Sequence, residues 1–597
     1  MAWTLIRGGT VVDGTGSPPF QADVCIRDGV IDAVGPDLSA PEGAQVMDAA
    51  GKLITPVFIN MHSHSDCSAA MYPNMESTLG QGITTEFAGH CGLGVAPVQH
   101  SWLYMFPEKK AFTKVMPEPP GGINPYNAYL VPTQRLREPF AQTYGQELDW
   151  TTYGQFLEHL RRVGLGANLA VVAGQAQIRL QAMGTDYHRD ATETEIAAME
   201  GALSEAMDGG ALGLSLGLDY EPGLFAGREE LLRLMKLVAA RGGIVTAHTR
   251  SRSHPYYGHA QSFLDGLREF LDLGRESGVR IHVSHIQNGY NVAPAHDGLI
   301  RAAVAKTLEE LDRARQAGVN VTWDVIPKYA YGPFHYPMAA SLFQPYVERC
   351  GGCAAFSRAL TLPDFRRQVV EEIRTGRHPS QGVFTRFDPQ ADPAWDTRYR
   401  FTRVQRAGCV GKTIREAAQG ADSLELLLDV LTEDPYAAMI SLGRRPEHTP
   451  DRDAFVARTE ATIGLDTWTL DYDAALSEGD LPLECGSPAT YEGMTVFLET
   501  ERDKGAAIEE TIRKLTGNAA RTLGLTDRGF VSQGLAADLL VLDWEHFSAR
   551  ENLADPRHGP QGLDYVLVAG QIAVDHGVHT HVRSGTVLGP EHRKGEN

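Results

Sequence analysis

Short apolar runs that alternate with helical stretches dominate the middle of this chain. We identify eight such runs, which end near His62, near Glu86, and at 169–174, 212–218, 245–249, 281–285, 319–326 and 462–466. Helical periodicity separates several of them, as at 193–207, 228–240 and 301–317. Continuous apolar strands alternating with helices are typical of a parallel sheet buried on both faces. Eight such units predict an α/β fold, a (β/α)8 TIM-like barrel, with a doubly wound open sheet as the alternative.

Both ends of the chain have a different pattern, that of β hairpins. Short β-type runs occupy 4–7, 9–12 and 22–26 near the start and 537–542 and 565–570 near the end. The pair Asp28-Gly29 between such runs is typical of a tight turn. We therefore predict that residues 1–54 and 528–597 together form one small β-sandwich domain, and that residues 55–527 form the barrel.

Two long stretches interrupt the alternation of strands and helices. Residues 100–150 are rich in proline and aromatic residues, and residues 328–460 form a large insertion between the seventh and eighth strands. Both leave the barrel at the carboxyl ends of strands, which is the face where barrel enzymes have their active sites. They are predicted either to cover the mouth as lids or to be surface decoration.

Composition and net charge indicate which kinds of partner and which cellular location we expect for this protein. The 597 residues are 43% hydrophobic, which is ample for a large core. The net charge of −21 disfavours binding to nucleic acid or to anionic membranes, since both are polyanions. The chain shows no signal-peptide pattern and no run of 18 apolar residues, and its seven cysteines are odd in number and sparse. We expect a cytoplasmic protein that acts on a small molecule.

Residues of metal-binding type stand at the ends of five predicted strands. They are His62 and His64 after the first strand, Cys91 after the second, His248 after the fifth, His285 after the sixth and Asp466 after the eighth. In a closed barrel these ends converge on one mouth. Three imidazole or thiolate ligands at a catalytic zinc leave a position open for water, and a nearby carboxylate can take a proton from that water. Each residue alone has a structural explanation, but their coincidence with strand ends predicts a metal site.

Several segments then give the chain a specific resemblance to a known family. They are 51–66 (GKLITPVFINMHSHSD), 82–97 (GITTEFAGHCGLGVAP), 215–223 (SLGLDYEPG), His248 with Arg250, Ser284-His285, 517–529 (GNAARTLGLTDRG) and 536–543. The chain resembles the amidohydrolase superfamily and, within it, the D-aminoacylase (N-acyl-D-amino-acid deacylase) group. The segment around Cys91 is the most discriminating, because most relatives have a modified lysine or a glutamate there.

The resemblance implies a zinc-dependent amidohydrolase that cleaves the carbon–nitrogen bond of an N-acyl amino acid or a related small amide. It implies that Cys91, His248 and His285 hold the tighter Zn²⁺. His62 and His64 would hold a second site that is weak or empty. Because relatives often associate, a homo-oligomer is also expected.

Three further residues and a second role for Asp466 complete the predicted site. The resemblance implies that Asp466 is the general acid and base and contributes to the metal site, and that Tyr220 contacts the carbonyl of the substrate. Arg250 and Lys328 are predicted to contact the substrate, because they lie close in sequence to the strand ends that carry the site.

The chain departs from the family pattern at residues with which relatives bind the substrate carboxylate. Gln287 stands where a lysine is common, Lys328 follows Pro327 where a tyrosine is common, and no arginine follows Asp466 before Arg502. A separate departure is Gln175, which stands where relatives have a histidine after the third strand. Lys328 could replace the missing lysine, or the substrate could lack an α-carboxylate. Two alternatives to deacylation therefore stay open: hydrolysis of a cyclic amide, as in hydantoinases and dihydroorotases, and a catalytically silent binding protein.

A second His-x-His pattern occurs near the end of the chain. His579 and His581 lie in the predicted C-terminal β segment, away from the strand ends of the barrel. We expect them to be exposed and to take no part in the site.

Overall fold

The computed structural model describes residues 2–39, 41–103, 115, 130–219, 221–250, 263–286, 297–327, 339–376, 393–441, 449–474, 487–551 and 556–593. Tyr220, Gln287 and Lys328, for which we predict or compare roles at the substrate, lie outside these ranges.

A closed barrel of parallel strands forms the centre of the molecule. Its eight strands are Phe58–Ser63, Ile83–Ala88, Asn168–Val171 continued by Ala173–Gly174, Gly213–Gly217, Ile244–His248, Arg280–Val283, Val321–Val325 and Thr462–Ile463. Each pairs in parallel with the next. The barrel closes where the amide of Asp466 donates to the carbonyl of His62 and the amide of His64 donates to that of Thr467. The predicted TIM-type barrel is confirmed, and the open sheet is excluded.

Helices surround the barrel, and three of them lie where the periodicity predicts helical stretches, at Glu193–Gly209, Arg228–Ala240 and Asp297–Gln316. Around it lie Glu76–Leu79, Thr133–Tyr144, Tyr153–Val163, Gln175–Met183, Glu193–Gly209, Arg228–Ala240, Phe263–Ser277, Asp297–Gln316, Thr449–Val456, Ala489–Asp503, Ile508–Leu515 and Gly517–Leu523. The helix Glu193–Gly209 shows why its sequence starts a helix. Thr192 accepts a hydrogen bond from the amide of Glu195, and the Glu195 carboxylate accepts one from the amide of Thr192. This reciprocal cap satisfies backbone donors that the first helical turn leaves free.

Strands from both ends of the chain form one nine-stranded sheet. Its members are Trp3–Val11, Phe20–Arg27, Val30–Gly35, Gln45–Asp48, Leu53–Pro56, Leu539–Leu542, Leu563–Val568, Gln571–Asp575 and Val578–His579. The two ends meet where Leu53–Pro56 pairs antiparallel with Leu539–Leu542. A last strand, Val587–Leu588, returns to pair with the third barrel strand. The sandwich layering and the domain limits at 54/55 and 527/528 stay predictions.

The long insertion before the eighth barrel strand has a core of its own. Its described part contains Gln344–Cys350, Cys353–Leu360, Pro363–Arg374, Ile414–Ala418, Ser423–Glu433 and the hairpin Tyr399–Arg403 with Ala438–Ser441. Phe343, Phe356 and Leu427 are buried in this separate core. In contrast, Phe455 and Val456 of the following helix belong to the main core. The unit with its own core therefore ends before that helix, and its role as a lid stays a prediction.

The first insertion is tied down by a small hairpin. Ser101–Leu103 pairs antiparallel with Leu130–Pro132. Trp102 is buried in the main core. Among the described residues, we find no helix that is both long and apolar enough to cross a membrane.

Candidate metal centre

The carboxyl ends of the barrel strands bring all six predicted metal-binding side chains together. They form two groups that share Cys91: one with His62, His64 and Asp466, and one with His248 and His285. Within each group the potential ligand atoms lie within 4.8 Å of one another. Apart from Asp466, which is partly exposed, the side chains are buried.

The Cys91 sulfur lies at the centre of this cluster. Its Sγ is 3.3 Å from His285 Nε2, 3.4 Å from His62 Nε2 and 3.8 Å from His248 Nδ1. Asp466 Oδ1 lies 3.1 Å from His64 Nε2 and 3.4 Å from His62 Nε2, so Asp466 and Cys91 both approach the same nitrogen of His62. The donor set is therefore one thiolate, four imidazoles and one carboxylate, which suits Zn²⁺.

Backbone conformation is unusual at three of the six positions. Cys91, His285 and Asp466 have positive φ angles of 59°, 39° and 56°. Such conformations cost on the order of 1–3 kcal/mol each in residues other than glycine, and they concentrate at functional sites. Gly89 lies two residues before Cys91 at φ 86°, and a Cβ there would come within 2.0 Å of the Val172 carbonyl oxygen. Glycine is therefore required for the loop that presents Cys91.

The ionisation states of the buried cysteine, aspartate and histidine side chains depend on one another across the cluster. Burial opposes ionisation of the Cys91 thiol, but the neighbouring His285 and His62 outweigh it and hold the pKa of Cys91 well below its usual value. Burial also opposes ionisation of Asp466, and His62 again holds its pKa well below normal. Conversely, burial favours neutral His64, yet Asp466 and Cys91 raise its pKa to about 9.

Protons on the histidines therefore balance the anionic thiolate and carboxylate. A divalent cation supplies the same compensation once the imidazoles are deprotonated, which is the form in which histidine binds metals. The residues present thus fit a zinc ion by charge as well as by ligand type.

Asp324 is a buried carboxylate behind the cluster that the sequence analysis missed. Its Oδ1 lies 3.3 Å from His62 Nδ1 and 3.0 Å from His282 Nε2, and its Oδ2 accepts the amide of His285 at 2.9 Å. Burial opposes ionisation, but the nearby His62 lowers the pKa of Asp324. Such outer carboxylates orient ligating histidines. The available signal was an aspartate between Trp323 and Val325 in the strand Val321–Val325.

Two further carboxylates contact the ligand loops. Asp219 Oδ2 lies 3.4 Å from His248 Nε2, on the side of the ring opposite to Cys91. Asp66 Oδ1 accepts the amide of Gly89 at 2.9 Å. Burial raises the pKa of Asp66 to about 6. Neither has a role in the sequence analysis, because their partners come from other strands.

A polar network links the first, second and eighth barrel strands beneath the site. Glu86 accepts hydrogen bonds from Asn60 Nδ2 at 2.7 Å and from the Thr78 hydroxyl at 2.9 Å. Asn60 Oδ1 in turn accepts the amide of Leu465, next to Asp466, at 2.9 Å. Burial dominates at the acid and raises the pKa of Glu86 to about 7. The network holds His62 and Asp466 in register, because it joins the backbone segments on which they lie.

The guanidinium of Arg250 has structural partners. It donates to Glu269 Oε2 at 3.0 Å and to the carbonyls of Leu224 at 2.6 Å and Ala226 at 3.1 Å. These contacts join the loops after the fourth and fifth strands and favour a structural role over the predicted substrate contact. Tyr220 and Lys328 lie outside the described residues, so their roles stay predictions.

Two of the departures from the family pattern are visible in the structure. Gln175 is buried after the third strand and donates to Glu230 at 2.7 Å, and Glu230 also pairs with the buried Arg179. Arg502 donates to the carbonyl of Phe547 at 2.6 Å and lies over the ring of Trp544. Both side chains therefore have partners within the protein.

Comparison with known proteins identifies the family. No family model matches the chain. The D-aminoacylase of Alcaligenes xylosoxydans xylosoxydans is 30% identical over 587 residues, which cover 98% of this chain and 97% of that relative. This chain belongs to the D-aminoacylase family. The N-acyl-D-glutamate deacylase of the same organism is 27% identical over 590 residues, which cover 98% of this chain and 96% of the relative.

A solved structure agrees on the fold of this D-aminoacylase family member. It is the N-acyl-D-glutamate deacylase of Bordetella bronchiseptica, complexed with zinc and a phosphonate inhibitor that mimics the tetrahedral intermediate. The TM-score is 0.66 at 24% identity, with 98% of this chain and 99% of that chain covered. The family resemblance drawn from the segments around His62 and Cys91 is confirmed.

Proposed function

We propose that this protein is a zinc-dependent hydrolase that cleaves the amide bond of an N-acyl-D-amino acid. The observation that carries the proposal is the convergence of Cys91, His248, His285 and Asp466 at the barrel mouth. Membership of the D-aminoacylase family supports the same reaction, since relatives along the full length are named D-aminoacylase and N-acyl-D-glutamate deacylase.

Two neighbouring metal positions follow from the two groups of ligands. Cys91, His248 and His285 would hold the tighter zinc, and His62 with His64 would hold a second, weaker one. When bound, zinc supplies Lewis acidity and makes water a nucleophile near neutral pH, by lowering the pKa of that water toward ~7.

Asp466 would move the proton that the reaction requires. Its pKa is well below normal, so the carboxylate is ionised at neutral pH and ready to accept a proton from the attacking water. It then returns this proton to the nitrogen of the departing amine, which leaves poorly as an anion. Positioned acid–base catalysis of this kind contributes about 10²–10⁴-fold in rate.

The outer carboxylates would keep the ligands in place during this cycle. Asp324 holds His62 and the backbone of His285, and Asp219 contacts His248. The contribution of these two carboxylates would be to position the side chains that hold zinc.

The test is Asp466→Asn, assayed with N-acetyl-D-amino acids in the presence of Zn²⁺. We expect a loss of about 10²–10⁴-fold in kcat, with zinc content close to that of the wild type. Asp503→Asn serves as a matched control, because Asp503 is exposed and pairs with its neighbour Arg502. Wild-type turnover in Asp466→Asn would reject the role of this residue. Assays of hydantoins and dihydroorotate beside the N-acyl substrates separate deacylation from cyclic-amide hydrolysis.

A further inference from the structure

The second His-x-His of the chain lies beside a carboxylate of the barrel. His579 ends the strand Val578–His579, and His581 follows in the next turn. Glu76 begins the short helix after the first barrel strand. Among the described residues, His579, His581 and Glu76 form the one group of three potential metal ligands outside the barrel mouth, with ligand atoms within 4.8 Å of one another.

The geometry converges on the space between these three side chains. His581 Nδ1 lies 3.5 Å from Glu76 Oε1, and the two imidazole rings are 4.9 Å apart. The other carboxylate oxygen, Glu76 Oε2, accepts the amide of Tyr472 at 2.8 Å. The carboxylate is therefore oriented by the barrel, with Oε1 directed at the histidines.

His579 is held next to the site by two backbone segments. Its Nδ1 accepts the amide of His581 at 2.9 Å, and the backbone of Asn74 forms a hydrogen bond with the ring, whose Nε2 is buried. A cation bound through Nε2 moves the ring proton to Nδ1, so the bond to the metal replaces these backbone contacts.

The surroundings carry an excess of negative charge. Asp471 Oδ1 accepts the amide of Glu76 at 3.5 Å, which places a second carboxylate beside the site. A bound dication relieves the repulsion between Glu76 and Asp471.

The turn that carries both histidines is anchored to the sheet, because the amide of Thr580 donates to the carbonyl of Ala573 at 2.9 Å.

We propose that Glu76, His579 and His581 bind a divalent transition metal, of the class of Zn²⁺ or Ni²⁺, separate from the metals at the barrel mouth. Two imidazoles and one carboxylate leave one position of a tetrahedral ion to water. The ion would link the end of the nine-stranded sheet to the barrel, since Glu76 follows the first barrel strand and both histidines lie at the end of that sheet.

The test counts zinc in the full-length protein after equilibration with micromolar free Zn²⁺. The double variant His579→Ala/His581→Ala is expected to lose one zinc per chain relative to the wild type and to keep its kcat/KM. Excess Zn²⁺ is expected to raise the Tm of the wild type more than that of the variant, because a ligand bound to the native state stabilises it. His576→Ala is the matched control, since His576 is exposed on the same hairpin and contacts Asp575.

A second variant guards against misfolding of the first. Glu76→Gln keeps an oxygen for the Tyr472 amide but removes the charge, and we expect it to weaken this zinc at least tenfold. Equal zinc content and equal zinc-induced Tm shifts in the wild type and in both variants would overturn the proposal. Loss of zinc together with loss of activity would also overturn it, because the ion would then belong to the catalytic site.

Discussion

Asp324→Asn tests whether the carboxylate behind the cluster organises the metal centre. Three donors converge on its two oxygens: His62 Nδ1, His282 Nε2 and the amide of His285. Asparagine has the same shape but only one acceptor oxygen, and its –NH₂ group is itself a donor. Whichever way the amide turns, at least one of the three donors faces another donor.

The magnitude follows from that count. A buried donor left without an acceptor costs about 1–3 kcal/mol, and Asp324 is fully buried, so water cannot take its place. We therefore expect the free energy of unfolding to fall by about 1–3 kcal/mol. Because His62 and His285 lose their orienting partner, zinc affinity is expected to fall by about 10–100-fold.

Two measurements on the same samples check this result. Competition with a chromophoric chelator gives the Kd for zinc, and urea denaturation gives the stability. Asp312→Asn is the matched control: Asp312 is partly exposed and pairs with Arg458 on the outside of the barrel, so its loss is expected to cost about 1 kcal/mol or less. If folded Asp324→Asn binds zinc within twofold of the wild type, the carboxylate does not organise the centre.

Two further predictions concern the packing and the pH dependence of the site. Gly464→Ala is expected to lower zinc content and Tm, because its Cβ would come within 2.3 Å of His62 Cβ and 2.6 Å of Asp324 Oδ2. The control Gly201→Ala, whose Cβ meets open space, is expected to change neither. A fully active Gly464→Ala would contradict this prediction. In the folded protein the pKa of Glu86 is about 7, above its ordinary value of 4.5, so folding favours the neutral carboxyl. The wild type therefore loses stability as pH rises from 4.5 through 7. This loss is on the order of 3 kcal/mol. Glu86→Gln is expected to flatten the dependence of the unfolding free energy on pH over that window. If urea denaturation gives the same pH dependence for the wild type and for Glu86→Gln, the prediction is wrong.

The sequence by itself determined the barrel and the six side chains at its mouth. Strand and helix periodicities are local properties, so the alternation is visible without knowledge of contacts. The ends of parallel strands always meet at one face, and this rule is enough to place His62, Cys91, His248, His285 and Asp466 together. The segment around Cys91 added the family, because few amidohydrolases have a cysteine there.

Only the tertiary structure decided which groups support the site. Asp324 and Glu86 act through partners on other strands, and inter-strand register decides which of their neighbours lie within hydrogen-bond distance. Arg250 lies two residues after His248 in the sequence, but in the folded loops its guanidinium donates hydrogen bonds to Glu269 and to two backbone carbonyls. His579 lies near Glu76 because the C-terminal segment returns to the barrel, where Arg583 donates to Asn74. A buried polar group must be satisfied by whatever the fold brings next to it, and for these residues that neighbour is far away along the chain.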